Sequence, residues 1–207
     1  MREQVLRLRE DAIVAAVNRL LATKGYDAMT VDEVAAEAGI AKASLYKHFT
    51  SKEELAGAAM VGMLNRALAF VDGLRSAAVT QPVAPVDQLK AVARWAMATQ
   101  LDGEMPSLPS SNSSLTASLT ANDEYMDRLI ALSNKLSIWI AEAQASGALN
   151  PAFPAEMVLY TLFARACDPV VGMLKDSGQY TDEQIVEWVL ASTFDGLAGV
   201  TAGASRS

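Results

Sequence analysis

TVDEVAAEAGIAKASLYKHFTSKEEL, residues Thr30 to Leu55, decides how the chain is read. Thr30 and Glu33 stand in T-x-x-E order, a capping box that opens a helix. Val31, Val34, Ala35 and Ala38 form one apolar stripe behind it, and Gly39 stops the helix after about two turns. Only Gly39, Ile40 and Ala41 separate this helix from the next helical segment. A glycine-containing turn of three or four residues between two short helices is a helix-turn-helix signature. After the turn, at about 100° per residue, Leu45 and Phe49 face inward and Lys47 points roughly opposite, with Ala43 beside it. Ser44 and Tyr46 occupy the flanks. The segment is expected to run to Thr50, where Ser51 and Glu54 make a second capping box for a further helix.

The outer face so formed is small, hydroxyl-bearing and cationic, which suits a helix entering a DNA major groove. Small side chains allow close approach, and Lys47 can donate to guanine acceptors. Tyr46 and Ser44 can donate to phosphate oxygens. Lys52 lies at a helix N-terminus and makes a phosphate clamp there, and Thr30 offers a similar site.

Working outward, the preceding residues Ala12, Ile13, Ala16, Val17, Leu20 and Leu21 repeat at helical spacing, with a stop expected near Lys24 and Gly25. The charge balance agrees with a split chain. The formal net charge is -7, yet Gly39 to Lys52 contains three lysines and no acid. Up to Leu55 there are 8 Lys+Arg and 9 Asp+Glu, and beyond it 9 and 15. The acidity therefore belongs to the larger remainder, and the docking face keeps its own local field.

The same stretch resembles the DNA-binding domain of the TetR family of bacterial transcriptional regulators. The T-x-x-x-x-A-x-x-A-G start, the L-Y-x-H-F core and the S-K-E-E-L exit occur in order, over about Arg7 to Leu55. The resemblance implies that Thr30, Lys42, Ser44, Tyr46, Lys47, His48 and Lys52 lie at or near DNA, with Lys42, Ala43 and Lys47 reading bases. It makes His48, the sole histidine, a phosphate contact. Ala41 departs from the family's usual Ser or Thr and deprives the third helix of an N-cap, a loss of about 1 kcal/mol.

The remaining chain reads as further helices: about Ser51 to Ala77, Val86 to Gln100, Asn122 to Ser146, Pro154 to Asp176 with a kink at Pro169, and a last one opened by the Thr181–Gln184 box. The stripe of the third of these, Asn122 to Ser146, consists of Met126, Leu129, Ile130, Ser133, Leu136 and Ile140. "DGEMPSLPSSNSS", residues 102–114, reads as a loop, either functional or a plain linker. The helix from Pro154 is apolar nearly all round, so burial on most sides is expected. Two widely apolar helices late in the chain suggest an interface with a second copy, and the family resemblance implies a four-helix dimer bundle. Arg165 and Asp168 lie in that interface or form an ordinary solvated pair.

The expected fold class is all-α: a helix-turn-helix domain over residues 1–50, a helical effector-binding and dimerisation domain over 51–201, and a disordered tail over 202–207. The resemblance implies a cavity in the second domain. Trp95, Met97, Met105, Met126, Trp139, Tyr160, Phe163 and Cys167 are candidates to line it or to serve as plain core. They suit an apolar or aromatic effector. The expected partners are an operator in double-stranded DNA, a second copy of the chain, and that small molecule. The resemblance implies a repressor that the ligand releases from a palindromic operator. A DNA-binding architectural or adaptor protein with a protein partner is the competing class.

No enzyme is expected: G-x-S-x-G, P-loop, H-E-x-x-H and paired Cys/His patterns are all missing from the sequence. Neither a metal site nor a cofactor is expected. The lone Cys167 excludes an intramolecular disulfide framework. No apolar run reaches the roughly 18–20 uncharged residues that a membrane span requires. The N-terminus carries no signal-peptide core, so a cytoplasmic location with no membrane partner is expected.

Overall fold

The structure is a computed structural model that describes residues 2–107 and 114–197, with the side chains of 10–107 and 114–196. The expected tail, 202–207, lies outside them. Among the described residues the fold is all-α, with ten α-helices and one 3-10 turn. The helices are α1 (Arg2–Ala28), α2 (Val31–Glu37), α3 (Lys42–Leu45), α4 (Lys52–Thr80), α5 (Pro85–Leu101), α6 (Ser114–Thr120), α7 (Asp123–Ala145), α8 (Ala155–Ala164), α9 (Pro169–Asp176) and α10 (Asp182–Leu197). The 3-10 turn, Arg165–Cys167, lies between α8 and α9. The chain divides into two compact units: residues 1–68 with 102–130, and residues 69–101 with 131–207.

In the first unit the local signals act as the sequence suggests. Gly25 interrupts α1 with φ 74 and ψ 171, outside helical geometry. Thr30 caps α2 through both arms of its box with Glu33. Gly39, at φ 68, occupies the left-handed region that a side chain would strain. Behind these helices lies one core that includes Ile13, Val17, Leu21, Met29, Val34, Leu45, Phe49 and Leu55.

Two expectations change here. The third helix is a four-residue α-turn, and residues 46–48 continue it as turns rather than as α-helix to Thr50. His48 N donates to Leu45 O and Lys47 N to Ser44 O, i to i−3 bonds that tighten the end. The second box is half-formed: Ser51 Oγ accepts from Glu54 N at 3.0 Å, but the Glu54 carboxylate reaches past Ser51 to Thr50 N and Oγ1.

The segment read as a loop ends in a helix that the sequence reading missed. α6 buries Leu115 and Leu119 in the core of the first unit, one turn apart on the same face. The serines and threonines around them are poor helix formers, and tertiary burial overrides that preference.

In the second unit α5 buries Leu89, Val92, Ala93, Ala96 and Met97, as its stripe indicates. α7 buries Leu132, Leu136, Trp139, Ile140 and Ala143, so its inward face is rotated from the expected one, and Ile130 is exposed. α10 opens on the Thr181–Gln184 box, with both arms made. The expected kinked helix from Pro154 is instead two helices. Asp168 is extended (φ -71, ψ 115), and its carboxylate accepts from Val170 N as the cap of α9, with Pro169 in the first turn. Proline at that position needs no helix partner for its missing N–H. Burial on most sides is not found: Val158, Leu159, Leu162 and Val171 are inside, whereas Met157, Tyr160, Val170 and Met173 face out.

Lys52–Thr80 and Ala155–Asp176 are long and apolar enough, by length and composition alone, to cross a membrane. The first has half of its apolar window buried in the protein, and the second is broken at Asp168.

Candidate nucleic-acid interface

The candidate interface is built from α2, α3 and the start of α4. Lys42, Ala43, Tyr46 and Lys47 are exposed, Ser44 is half-buried, and Leu45 and Phe49 anchor the segment in the core. One short helix thus separates an inward apolar edge from an outward polar one. Ala41 is the N-cap residue, and no side-chain cap bond forms there. The weakness read from the sequence is present.

The three lysines have different surroundings. Lys42 Nζ donates to the Asp32 carboxylate on α2 at 2.9 Å, and that hydrogen bond raises its pKa above the usual lysine value. Lys52 Nζ donates to Asp27 O at 3.2 Å and lies over the Tyr26 ring, 4.4 Å from its centroid. Among the described residues Lys47 makes no ion pair. It is the lysine of this face least committed to the protein itself.

Thr30 is exposed at the start of α2, but its hydroxyl and amide are engaged with Glu33. The Glu33 carboxyl is held below its ordinary range by Lys24, then by Thr30. His48 turns toward the protein: Nδ1 lies 3.2 Å from Glu10 Oε1, and the side chain is 9% exposed. Its place is therefore a tie between the recognition segment and α1, which the sequence motif gave no means of seeing.

A second missed group lies behind the interface. Tyr26 and Ser114 share a hydrogen bond of 3.2 Å, and Ser114 Oγ donates to Glu53 Oε1 at 2.8 Å. Burial raises the Tyr26 pKa, and hydrogen bonds from Tyr26 and Ser114 help to lower that of Glu53. This ties α6 to the ends of α1 and α4 beside Lys52.

Residues 13–59 match the sequence model of bacterial regulatory proteins of the tetR family. The helix-turn-helix segment of the chain is of the tetR-family type.

An uncharacterized HTH-type transcriptional regulator of Mycobacterium tuberculosis is 42% identical over 71 residues, 34% of this chain and 30% of that protein. The chain thus spans under a third of that relative. Among solved structures, the fatty acid degradation regulator FadR from Bacillus halodurans is 20% identical with a TM-score of 0.65, over 92% of this chain and 97% of that one. FadR from Bacillus subtilis, in complex with stearoyl-CoA, is 17% identical with a TM-score of 0.65, over 90% and 98%. At such identities the likeness is one of fold. That likeness of fold extends well beyond the helix-turn-helix.

The expected effector residues are distributed over both units. Met105 and Met126 belong to the first unit, and the other six to the second. Within the second unit Met97 and Trp139 are buried. Trp95 is half-buried and stacked on Phe70 with ring centroids 5.3 Å apart. Phe163 and Cys167 are half-buried around the break after α8. Tyr160 is 67% exposed, so it lines no interior. Its position on the outer side of α8 follows from the inward set Val158, Leu159 and Leu162.

Proposed function

We propose that the protein is a cytoplasmic, homodimeric transcriptional repressor that binds a palindromic operator and leaves it when a small molecule binds the second unit. The observation that carries the reading is the outer face of α3 and its following turn, with Lys47 uncommitted and flanked by the small or hydroxyl-bearing Ala43, Ser44 and Tyr46. Lys47 and Ala43 read base edges, with Lys42 at the border of that face. Tyr46, Ser44, Thr30 and Lys52 contact phosphates. His48 contributes through its tie to Glu10, holding the segment in place.

A dimer suits this reading. Met157, Tyr160, Val170, Met173 and Trp188 put large apolar side chains at the surface of α8, α9 and α10. Large apolar side chains left exposed support a surface that a second copy covers. Two recognition helices related by a two-fold axis would meet half-sites about 34 Å apart. Trp95, Met97, Trp139, Phe163 and Cys167 supply an apolar, adaptable environment for an effector. The stearoyl-CoA held by the Bacillus subtilis neighbour makes acyl thioesters sensible members of a test panel.

The test is selection of operators from a random duplex pool, followed by sedimentation of the complex. A palindromic consensus bound by two chains is expected, and so is release by members of the panel. A monomer at micromolar concentration would remove the dimer. Stable operator binding untouched by every small molecule would favour a DNA-binding adaptor with a protein partner.

A further inference from the structure

The junction of α8 and α9 buries more polar chemistry than a helix break requires. Asp168 is 3% exposed. Its Oδ1 accepts from Val170 N at 2.9 Å, and its Oδ2 lies 2.6 Å from Arg165 NH1. Arg165 NH1 also donates to Thr193 Oγ1 of α10 at 3.3 Å. From α5, Gln100 Nε2 donates to the Asp168 carbonyl at 3.0 Å. This bond fixes the amide, because only the nitrogen can donate to that carbonyl. Gln100 Oε1 is therefore held as an acceptor pointing elsewhere. Gln100 Oε1 and Arg165 Nε are buried without a hydrogen-bond partner, and so is Asp168 Oδ2, whose approach to Arg165 NH1 is an ion pair only. Gln100 Oε1 accepts, Arg165 Nε donates, and both side chains are tied to Asp168. Native interiors rarely leave such groups unmade.

We propose that Arg165 Nε and Gln100 Oε1 form the polar end of the effector site, and that the effector carries, on an apolar body, one group that both accepts and donates: a hydroxyl or a carboxamide. The inference rests on the effector reading above and names the ligand class for it. A carboxylate accepts only. It would satisfy Arg165, leave Gln100 Oε1 facing another oxygen, and bring a second negative charge to Asp168. A thioester carbonyl serves Arg165 alone, and a hydrocarbon serves neither. The apolar body has neighbours on the same elements. Met97 is one turn before Gln100 and fully buried, and Phe163 and Cys167 flank Arg165.

The experiment compares four probes of one shape on the full chain by calorimetry: naphthalene, 2-naphthoate, 2-naphthamide and 2-naphthylmethanol. The amide and the alcohol are expected to bind roughly tenfold or more tightly than the other two, the worth of one or two buried hydrogen bonds. Gln100→Leu and Arg165→Met should each erase most of that preference. Gln100→Leu keeps the Arg165–Asp168 pair but gives up the bond to the Asp168 carbonyl, so its thermal midpoint is measured alongside: a lost preference with the midpoint held supports the assignment, and a kept preference overturns it. Equal binding of all four probes, or a preference for naphthoate, overturns the polar-end assignment while leaving the effector reading standing. So does a failure of all four to bind when other compounds release the operator. An operator complex that no small molecule disturbs removes the effector reading itself.

Discussion

The helix-turn-helix and the α8–α10 region solve opposite problems. In the first, apolar side chains are inside, and charged ones sit outside on a four-residue helix, available to a partner. In the second, Met173 is 73% exposed and Trp188 is 48% exposed, whereas Asp168 is buried with Arg165. The first region carries its chemistry on side chains set by local motif. The second carries it on side chains set by what packs against them. A substitution should therefore separate stability from function cleanly in the first region and couple them in the second.

The largest effect is expected at Asp168. Asp168→Ala leaves Arg165 without its buried partner and uncaps α9, so a loss of about 3–5 kcal/mol is expected in denaturant unfolding. A loss under about 1 kcal/mol would mean that the pair is solvated, which is the other reading the sequence left open. Next comes Leu45→Ala, expected to cost about 3 kcal/mol because Leu45 is fully buried. Its neighbour Tyr46→Ala should stay within about 0.5 kcal/mol in stability and weaken DNA binding. If the two cost the same, the inward and outward edges of α3 are misassigned.

Smaller effects test the caps. Thr30→Ala removes the cap of α2 and should cost about 1 kcal/mol. Because the Glu33 carboxyl is depressed in the folded protein, its contribution is fully present above the ordinary value of 4.5 and fades as pH falls through the lower folded value. The gap between wild type and Glu33→Gln should close correspondingly in acid, and a gap that widens there would refute the assignment. Ala41→Ser supplies the missing cap of α3 and should raise the unfolding free energy by about 0.5–1 kcal/mol in denaturant titration.

The contrast also explains what was legible in the sequence. Thr30–Glu33 and Thr181–Gln184 are local boxes, and both form as read. Gly25 and Gly39 punctuate the chain where expected, since positive φ is a local demand. The Glu54 carboxylate chose Thr50 over Ser51, a difference of one residue that spacing cannot resolve. α6 was invisible because its sequence is loop-like and only the core of the first unit makes it a helix. The His48–Glu10 tie and the Tyr26–Ser114–Glu53 group join residues far apart in the chain, so no periodicity announces them. The Asp168–Pro169 pair did carry a signal, a cap residue followed by proline at the first helical position, but the apolar run around it read as one kinked helix. The outward position of Tyr160 and Ile130 depends on which neighbours cover the other side, and that is tertiary information.

The central claim is that the exposed face of α3 and the turn after it reads base sequence through Lys47. The most direct test is to measure the affinity of wild type, Lys47→Ala and Lys52→Ala for the selected operator and for each of its single-base-pair variants, across a salt series. Lys47→Ala should lose about 1–3 kcal/mol of discrimination at one half-site position while keeping its preferences elsewhere. Lys52→Ala should weaken every duplex alike and flatten the salt dependence. If Lys47→Ala instead weakens all sequences equally and leaves the pattern of preference untouched, Lys47 is a phosphate contact and the account of this face is wrong.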